Sequence, residues 1–175
     1  CWIGTNHIAY DYSTPSLSVD NHMICALRYK GKLYFLDATE TYIGFDQYAE
    51  RIQGRQVMIE DGEKYMLEKV PLCSTEQNID LEKRTVHIDG NNLKGNVLHK
   101  MGGESKEWLL TRIHSLKKDK LATALQHYLA EGNLKYAITQ LQTSDLNERD
   151  NALDINYQLD HKDAVSGFGD ELYID

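Results

Sequence analysis

DNHMICALRYKGKLYFLDAT, residues 20–39, is the stretch on which the reading of this chain turns. It holds two apolar runs, His22 to Tyr29 and Leu33 to Thr39, joined at Lys30-Gly31. An X-Gly pair between β-rich runs predicts a two-residue hairpin turn, because glycine tolerates the positive φ that such a turn demands. With Lys30 and Gly31 as the turn, His22 falls opposite Thr39 and Ile24 opposite Asp37. His22 and Asp37 are then diagonal neighbours on one face, about 7 Å apart at the backbone and within side-chain reach. A slip of one residue would put them on opposite faces. Ile24, Ala26, Leu33 and Phe35 line one side of the hairpin and Cys25, Leu27, Tyr34 and Leu36 the other. Apolar on both sides, it is expected in the middle of a covered sheet, with His22 and Asp37 near its open end.

Neutral imidazole can remove a proton from a thiol or hydroxyl, and a carboxylate on its other nitrogen fixes the tautomer and stabilises the imidazolium. His22 and Asp37 therefore supply two of the three members of a nucleophilic triad. On these two residues alone, a satisfied strand-end hydrogen bond is the commoner meaning.

Composition narrows the classes. The 175 residues suffice for one large domain or two small ones, and 41% hydrophobic content with eleven tyrosines supports a packed core. A net charge of −8 argues against a nucleic-acid partner. No apolar run approaches the roughly 18 residues of a membrane span, and no signal peptide is recognisable. The chain enters a strand-like run directly at Cys1, which leads us to expect a piece of a longer protein. Cys1, Cys25 and Cys73 form neither metal-ligand spacing nor an even disulfide framework, and Cys25 is expected to be a small core residue.

From the N-terminus, Cys1 to Gly4 reads as a strand end and Thr5 to Ser18, with Pro15, as a polar loop. Beyond the first hairpin, Phe45 to Arg51 is a short helix or turn, and Gln56 to Glu60 with Lys64 to Glu68 a second hairpin around Asp61-Gly62. Pro71 and the polar run Ser74 to Asn78 mark a boundary. Leu81 to Ile88 and Leu93 to Met101 form a third hairpin, followed by helices near Ser105 to Leu116 and Asp119 to Glu131. Strands at Tyr136 to Leu141 and Ala152 to Leu159 follow, and Leu172 to Ile174 closes the chain. The second half thus has ββααββ order, an α+β layer with helices on one face of an antiparallel sheet.

Asp20-Asn21-His22-Met23-Ile24, followed by Gly31-Lys32-Leu33-Tyr34-Phe35-Leu36-Asp37-Ala38-Thr39, resembles the histidine and aspartate segments of the transglutaminase-like superfamily, papain-related Cys-His-Asp enzymes and pseudo-enzymes. The shared pattern is Asn/Asp-His before a strand, then Lys-x-Tyr/Trp-x-Leu-Asp-Ala-Thr after a tight turn. Gln53-Gly54-Arg55-Gln56 also resembles the L-x-G-R segment of bacterial members, which continue into a β-rich domain of unknown function laid out like residues 79–175. The resemblance implies His22 as general base, Asp37 as its orienter, a peptide or protein amide as substrate, no cofactor, and a periplasmic or extracytoplasmic location that nothing here encodes. The implied fold is α+β. Residues 1–74 would be the C-terminal β-hairpin portion of a transglutaminase-like, papain-like core, and residues 75–175 an antiparallel sheet domain with two helices.

The sequence departs from that family at the nucleophile. The family's cysteine starts a helix well upstream of the histidine, in a Gly-x-Cys context, where the helix N-terminus lowers the thiol pKa. Cys1, Cys25 and Cys73 lack that setting. The chain as given is expected to be catalytically incomplete, an upstream part of the same polypeptide completing the core. The competing reading is a non-catalytic binding or assembly module that retains the fold, with Thr5 to Ser18 and the second domain as its surface. Elsewhere Gly102-Gly103 lacks phosphate-loop spacing, and the acidic turn from Asp145 to Asp150 does not match a calcium loop. His87 and His99 lie on facing strands without a Cys or carboxylate cluster and read as surface residues rather than a zinc site, His114, His127 and His161 as solvated, and Trp108 as a core anchor.

Overall fold

Among the described residues, eight of the twelve strands fall in four hairpins, and a glycine with a positive φ sits in each of the four turns. A computed structural model describes residues 1–10, 12–13 and 16–175. It is mixed α and β, mostly antiparallel sheet with two helices. Residues 1–79, 102–107 and 149–151 form one compact unit, and residues 80–101, 108–148 and 152–175 another. Residues 75–79 thus go with the first unit, and two short later segments join them.

The first unit contains a four-stranded antiparallel sheet built from β1 (Trp2–Ile3), β2 (His22–Met23), β5 (Gln56–Asp61) and β6 (Lys64–Lys69), in the order β2-β1-β5-β6. The separate hairpin of β3 (Cys25–Tyr29) and β4 (Lys32–Leu36) turns at Lys30 and Gly31, whose φ of 49° and 79° suit the predicted two-residue turn. Its register is the expected one from Tyr29 opposite Lys32 to Cys25 opposite Leu36. There the ladder stops. His22 pairs with Ile3 of β1 instead of Thr39, and the Ile24 amide donates to the Cys1 carbonyl instead of joining Asp37.

The hairpin is also not covered on both sides. Ile24 and Phe35 bury into a core with Ile3, Ile52, Val57 and Val70, whereas Cys25, Leu27 and Leu36 on the opposite side are exposed. Two strands have only one face to give to a single core, so the second stays in water. Pro15 of the long loop lies outside the described residues; the loop's end carries a 3-10 turn at Leu17–Val19. The short helix or turn expected at Phe45 to Arg51 is a 3-10 turn at Glu50–Ile52.

The second unit follows the ββααββ order. β7 (Asp80–Asp89), β8 (Asn92–Met101), β9 (Tyr136–Thr143) and β10 (Leu153–His161) form an antiparallel sheet in the order β7-β8-β10-β9. Between β8 and β9 come α1 (Gly103–His114), whose first residues count with the first unit, and α2 (Leu121–Leu129). Leu153, Ile155, Tyr157 and Leu159 are all buried, as their alternation requires, and α2 packs against β9. β11 (Val165–Phe168) and β12 (Glu171–Ile174) add a hairpin where one closing strand was expected. Trp108 is 51% exposed rather than a core anchor, its ring beside Tyr128 and Arg112. His161 is buried against Tyr136, not solvated. No helix among the described residues is long and apolar enough to cross a membrane.

Candidate functional site

His22 and Asp37 meet, by a different route from a continuous hairpin. Alternation survives the change of hydrogen-bonding partner after Met23: His22, Ile24 and Ala26 keep to the inner side, as do Leu33, Phe35 and Asp37. Burial of Ile24 and Phe35 in one core draws the two chain ends together. His22 Nε2 then donates to Asp37 Oδ2 at 2.8 Å. The carboxylate takes Nε2, so Nδ1 is the ring nitrogen left to accept a proton.

Asp37 is the fixed partner. Its side chain is 6% exposed against 16% for His22. Oδ1 accepts the Thr39 amide at 3.1 Å and the Thr39 hydroxyl at 2.7 Å, and Oδ2 also accepts from Arg51 at 3.2 Å. Arg51, in the 3-10 turn, bonds the Thr39 hydroxyl oxygen at 2.6 Å and pairs with Glu40. Burial pushes the Asp37 carboxyl up, but the Thr39 hydroxyl, His22 and the Thr39 amide outweigh it, and the group lies below its ordinary value. It therefore stays ionised, as an orienting carboxylate must.

A cleft of about 650 Å³ opens beside Asp37, with Cys25 and Leu36 of the hairpin on one side and the 38–49 loop and Arg149-Asp150 on the other. Distant residues hold that loop. Glu107 accepts the amides of Thr41 and Tyr42, and Asp150 Oδ1 accepts the Phe45 amide at 2.8 Å. Lys106, only 1% exposed, donates to the carbonyls of Arg149 and Asn151. Gly44 is required here, because a Cβ would sit 2.9 Å from the Arg149 carbonyl oxygen. Sequence reasoning passed over Lys106 and Glu107 and read Asp150 only as part of an acidic turn, because their partners lie far away in the chain. Arg55, singled out by the resemblance, donates to the Gly4 and Ile8 carbonyls and stacks on Tyr10, pinning the loop that follows β1.

None of the three thiols hydrogen-bonds to His22. Cys73 Sγ accepts the Tyr48 amide at 3.3 Å, and burial pushes its thiol up, which disfavours the thiolate. Cys1 is half-buried at the start of β1. Cys25, expected in the core, is exposed and lines the cleft beside Asp37.

A second histidine–carboxylate pair lies in the second unit. His99 is buried rather than on the surface, and its Nε2 donates to Asp80 Oδ1 at 2.6 Å. Its Nδ1 lies 3.8 Å from Glu82, which also accepts from the Tyr157 hydroxyl at 3.3 Å. His87 is opposite Lys94, so the two histidines do not face each other. The signal for Asp80 and Glu82 was available: a turn at Gly90-Asn91 sets Glu82 opposite His99 and Asp80 one diagonal away.

Compared with protein-family models, with curated proteins and with solved structures, the chain matches none.

Proposed function

We propose that His22 and Asp37 are the general base and its orienter in a transglutaminase-like, papain-related cysteine hydrolase or acyltransferase acting on peptide or protein amides. In this reading the nucleophile is a cysteine outside residues 1–175. His22 Nδ1 takes the thiol proton as the sulfur attacks the amide carbonyl, and the imidazolium returns that proton to the departing amine. A thioester remains. Water or a second amine then attacks it, with His22 again removing the proton, and the thiol is regenerated. The 2.8 Å contact between a partly exposed imidazole and a buried, ionised carboxylate carries this reading, alongside the motif resemblance.

The test is labelling of the intact protein by a thiol-reactive amide mimic. His22→Ala should slow labelling at least a hundredfold and Asp37→Asn at least tenfold, within the usual range for general-base loss. Labelling of His22→Ala at the unaltered rate would remove His22 from the mechanism. A second reading, a non-catalytic module that retains the fold, draws on the other donors to Asp37: Arg51 and Thr39 make that carboxylate a structural hub even without His22. It predicts no histidine-dependent labelling at all.

A further inference from the structure

The second unit's sheet keeps one side for Leu153, Ile155, Tyr157 and Leu159, and its other side is open. At the centre of that open side lie five amide side chains: Asn96, Asn156, Gln158, Gln140 and Gln142. All five residues are exposed, and among the described residues none of their side-chain amides is spent on a hydrogen bond. Solvated sheet faces usually carry interspersed charges. Apart from Lys83 on the edge strand, the charges here sit at the two ends and neutralise one another, Lys94 with Asp89 and Asp160, and Lys100 with Asp154. Between them runs a groove of about 440 Å³ whose lining includes a single charged residue, Lys83, at one margin and an exposed apolar surface, Leu98, in the middle.

A second observation marks the same place. The pairing of β9 with β10 shifts between Asn156 and Gln158, and within that bulge Gln140 holds a φ of 49°. A left-handed glutamine inside a strand is strained backbone, and bulges of this kind re-aim side chains next to binding sites. The extra residue keeps Ile138 buried while Gln140 and Gln142 both reach the groove.

We propose that this amide-lined face binds a neutral oligosaccharide. Each amide offers an NH₂ donor and a carbonyl acceptor side by side, the complement of vicinal hydroxyls, which both donate and accept. The strip holds no acid to attract a cation and only Lys83 to attract an anion, so charge complementarity favours an uncharged ligand. Leu98 gives the sugar C–H surface an apolar seat.

The test is affinity electrophoresis of the whole chain through gels containing laminarin, galactomannan or, as an acidic control, alginate. Retardation by a neutral polysaccharide, unaffected by salt, is expected. Asn156→Ala/Gln158→Ala should weaken it at least tenfold with the far-UV CD spectrum unchanged, and Lys83→Ala should alter it less than twofold. Absence of retardation by both neutral polymers would overturn the proposal, as would retardation that the double variant leaves intact. Retardation by alginate alone, relieved by salt, would overturn it in favour of an anionic polymer held by Lys83.

Discussion

Two histidines in this chain hydrogen-bond to aspartates through Nε2, and the two pairs are built in opposite senses. In the first unit the aspartate is buried and the histidine more open, 6% against 16% exposure for the side chains of Asp37 and His22. In the second the histidine is buried and the aspartate open, 11% for His99 against 50% for Asp80. Asp37 is held by Thr39 and Arg51 and so can hold His22 in turn. Asp80 cannot do this for His99, whose other nitrogen faces Glu82. Contact between the two residue types is therefore a weak sign of a base. The sign lies in which partner is anchored, and in whether the second ring nitrogen remains for a substrate.

The largest effect should come from removing the anchored carboxylate. Asp37→Ala leaves the Arg51 guanidinium and the His22 ring without their common acceptor, a broken buried pair that should cost about 3 kcal/mol. The shift of the urea midpoint at unchanged m measures it. A cost below about 1 kcal/mol would put this pair in the class of exposed ones.

The same carboxylate fixes a pH dependence. With its folded-state pKa below the ordinary 3.8, Asp37 binds a proton less readily in the folded chain than in the unfolded one. Its contribution is full above the ordinary value and is lost as the pH falls through the lower, folded one. Urea midpoints followed from about pH 5 to pH 2 should fall less steeply in Asp37→Asn than in the parent chain. Parallel curves would mean that the carboxylate is not held as described.

The hairpins carrying the two aspartates invite a subtler comparison. Gly31, in the turn of β3 and β4, and Gly90, in that of β7 and β8, have φ of 79° and 62°, and a Cβ would meet nothing within 4 Å at either. Alanine should therefore cost about 1 kcal/mol of backbone strain at each. Thermal unfolding of Gly31→Ala and Gly90→Ala should show equal costs. A clearly smaller cost at Gly31 would mean that the two-stranded hairpin yields where the four-stranded sheet does not.

Much of this was legible because it is local. The Lys30-Gly31 turn fixes the register of its hairpin, the turn at Gly90-Asn91 does the same for β7 and β8, and the alternation from Leu153 to Leu159 marks a buried face. The meeting of His22 with Asp37 followed from the first of these, although the strand changes sheets at Ile24. That exchange was not legible, since β1 and β4 are both able to pair with an extended His22 segment and only the shared core decides between them. Nor was the exposure of Cys25, which depends on whether a second layer covers the hairpin. The cleft wall was least legible: Lys106, Glu107 and Asp150 act across sequence separations of 43 to 105 residues, and no local period encodes such contacts.

The smallest effect is expected where the first pair's logic is absent. Asp80 is half exposed, so Asp80→Ala removes a carboxylate that water already solvates, and exposed pairs contribute about 0.5 kcal/mol. His99 keeps Glu82 near its other nitrogen, and the ring stays packed in the sheet between Glu82 of β7 and Ile155 of β10. Urea unfolding of Asp80→Ala should therefore be nearly superimposable on that of the parent chain. A cost above about 2 kcal/mol would mean that His99 depends on Asp80 as heavily as a buried hydrogen-bonded charge pair does. Exposure of the carboxylate would then no longer separate a strut from a site, and the case for His22 would rest on the absence of a carboxylate beside its Nδ1 among the described residues.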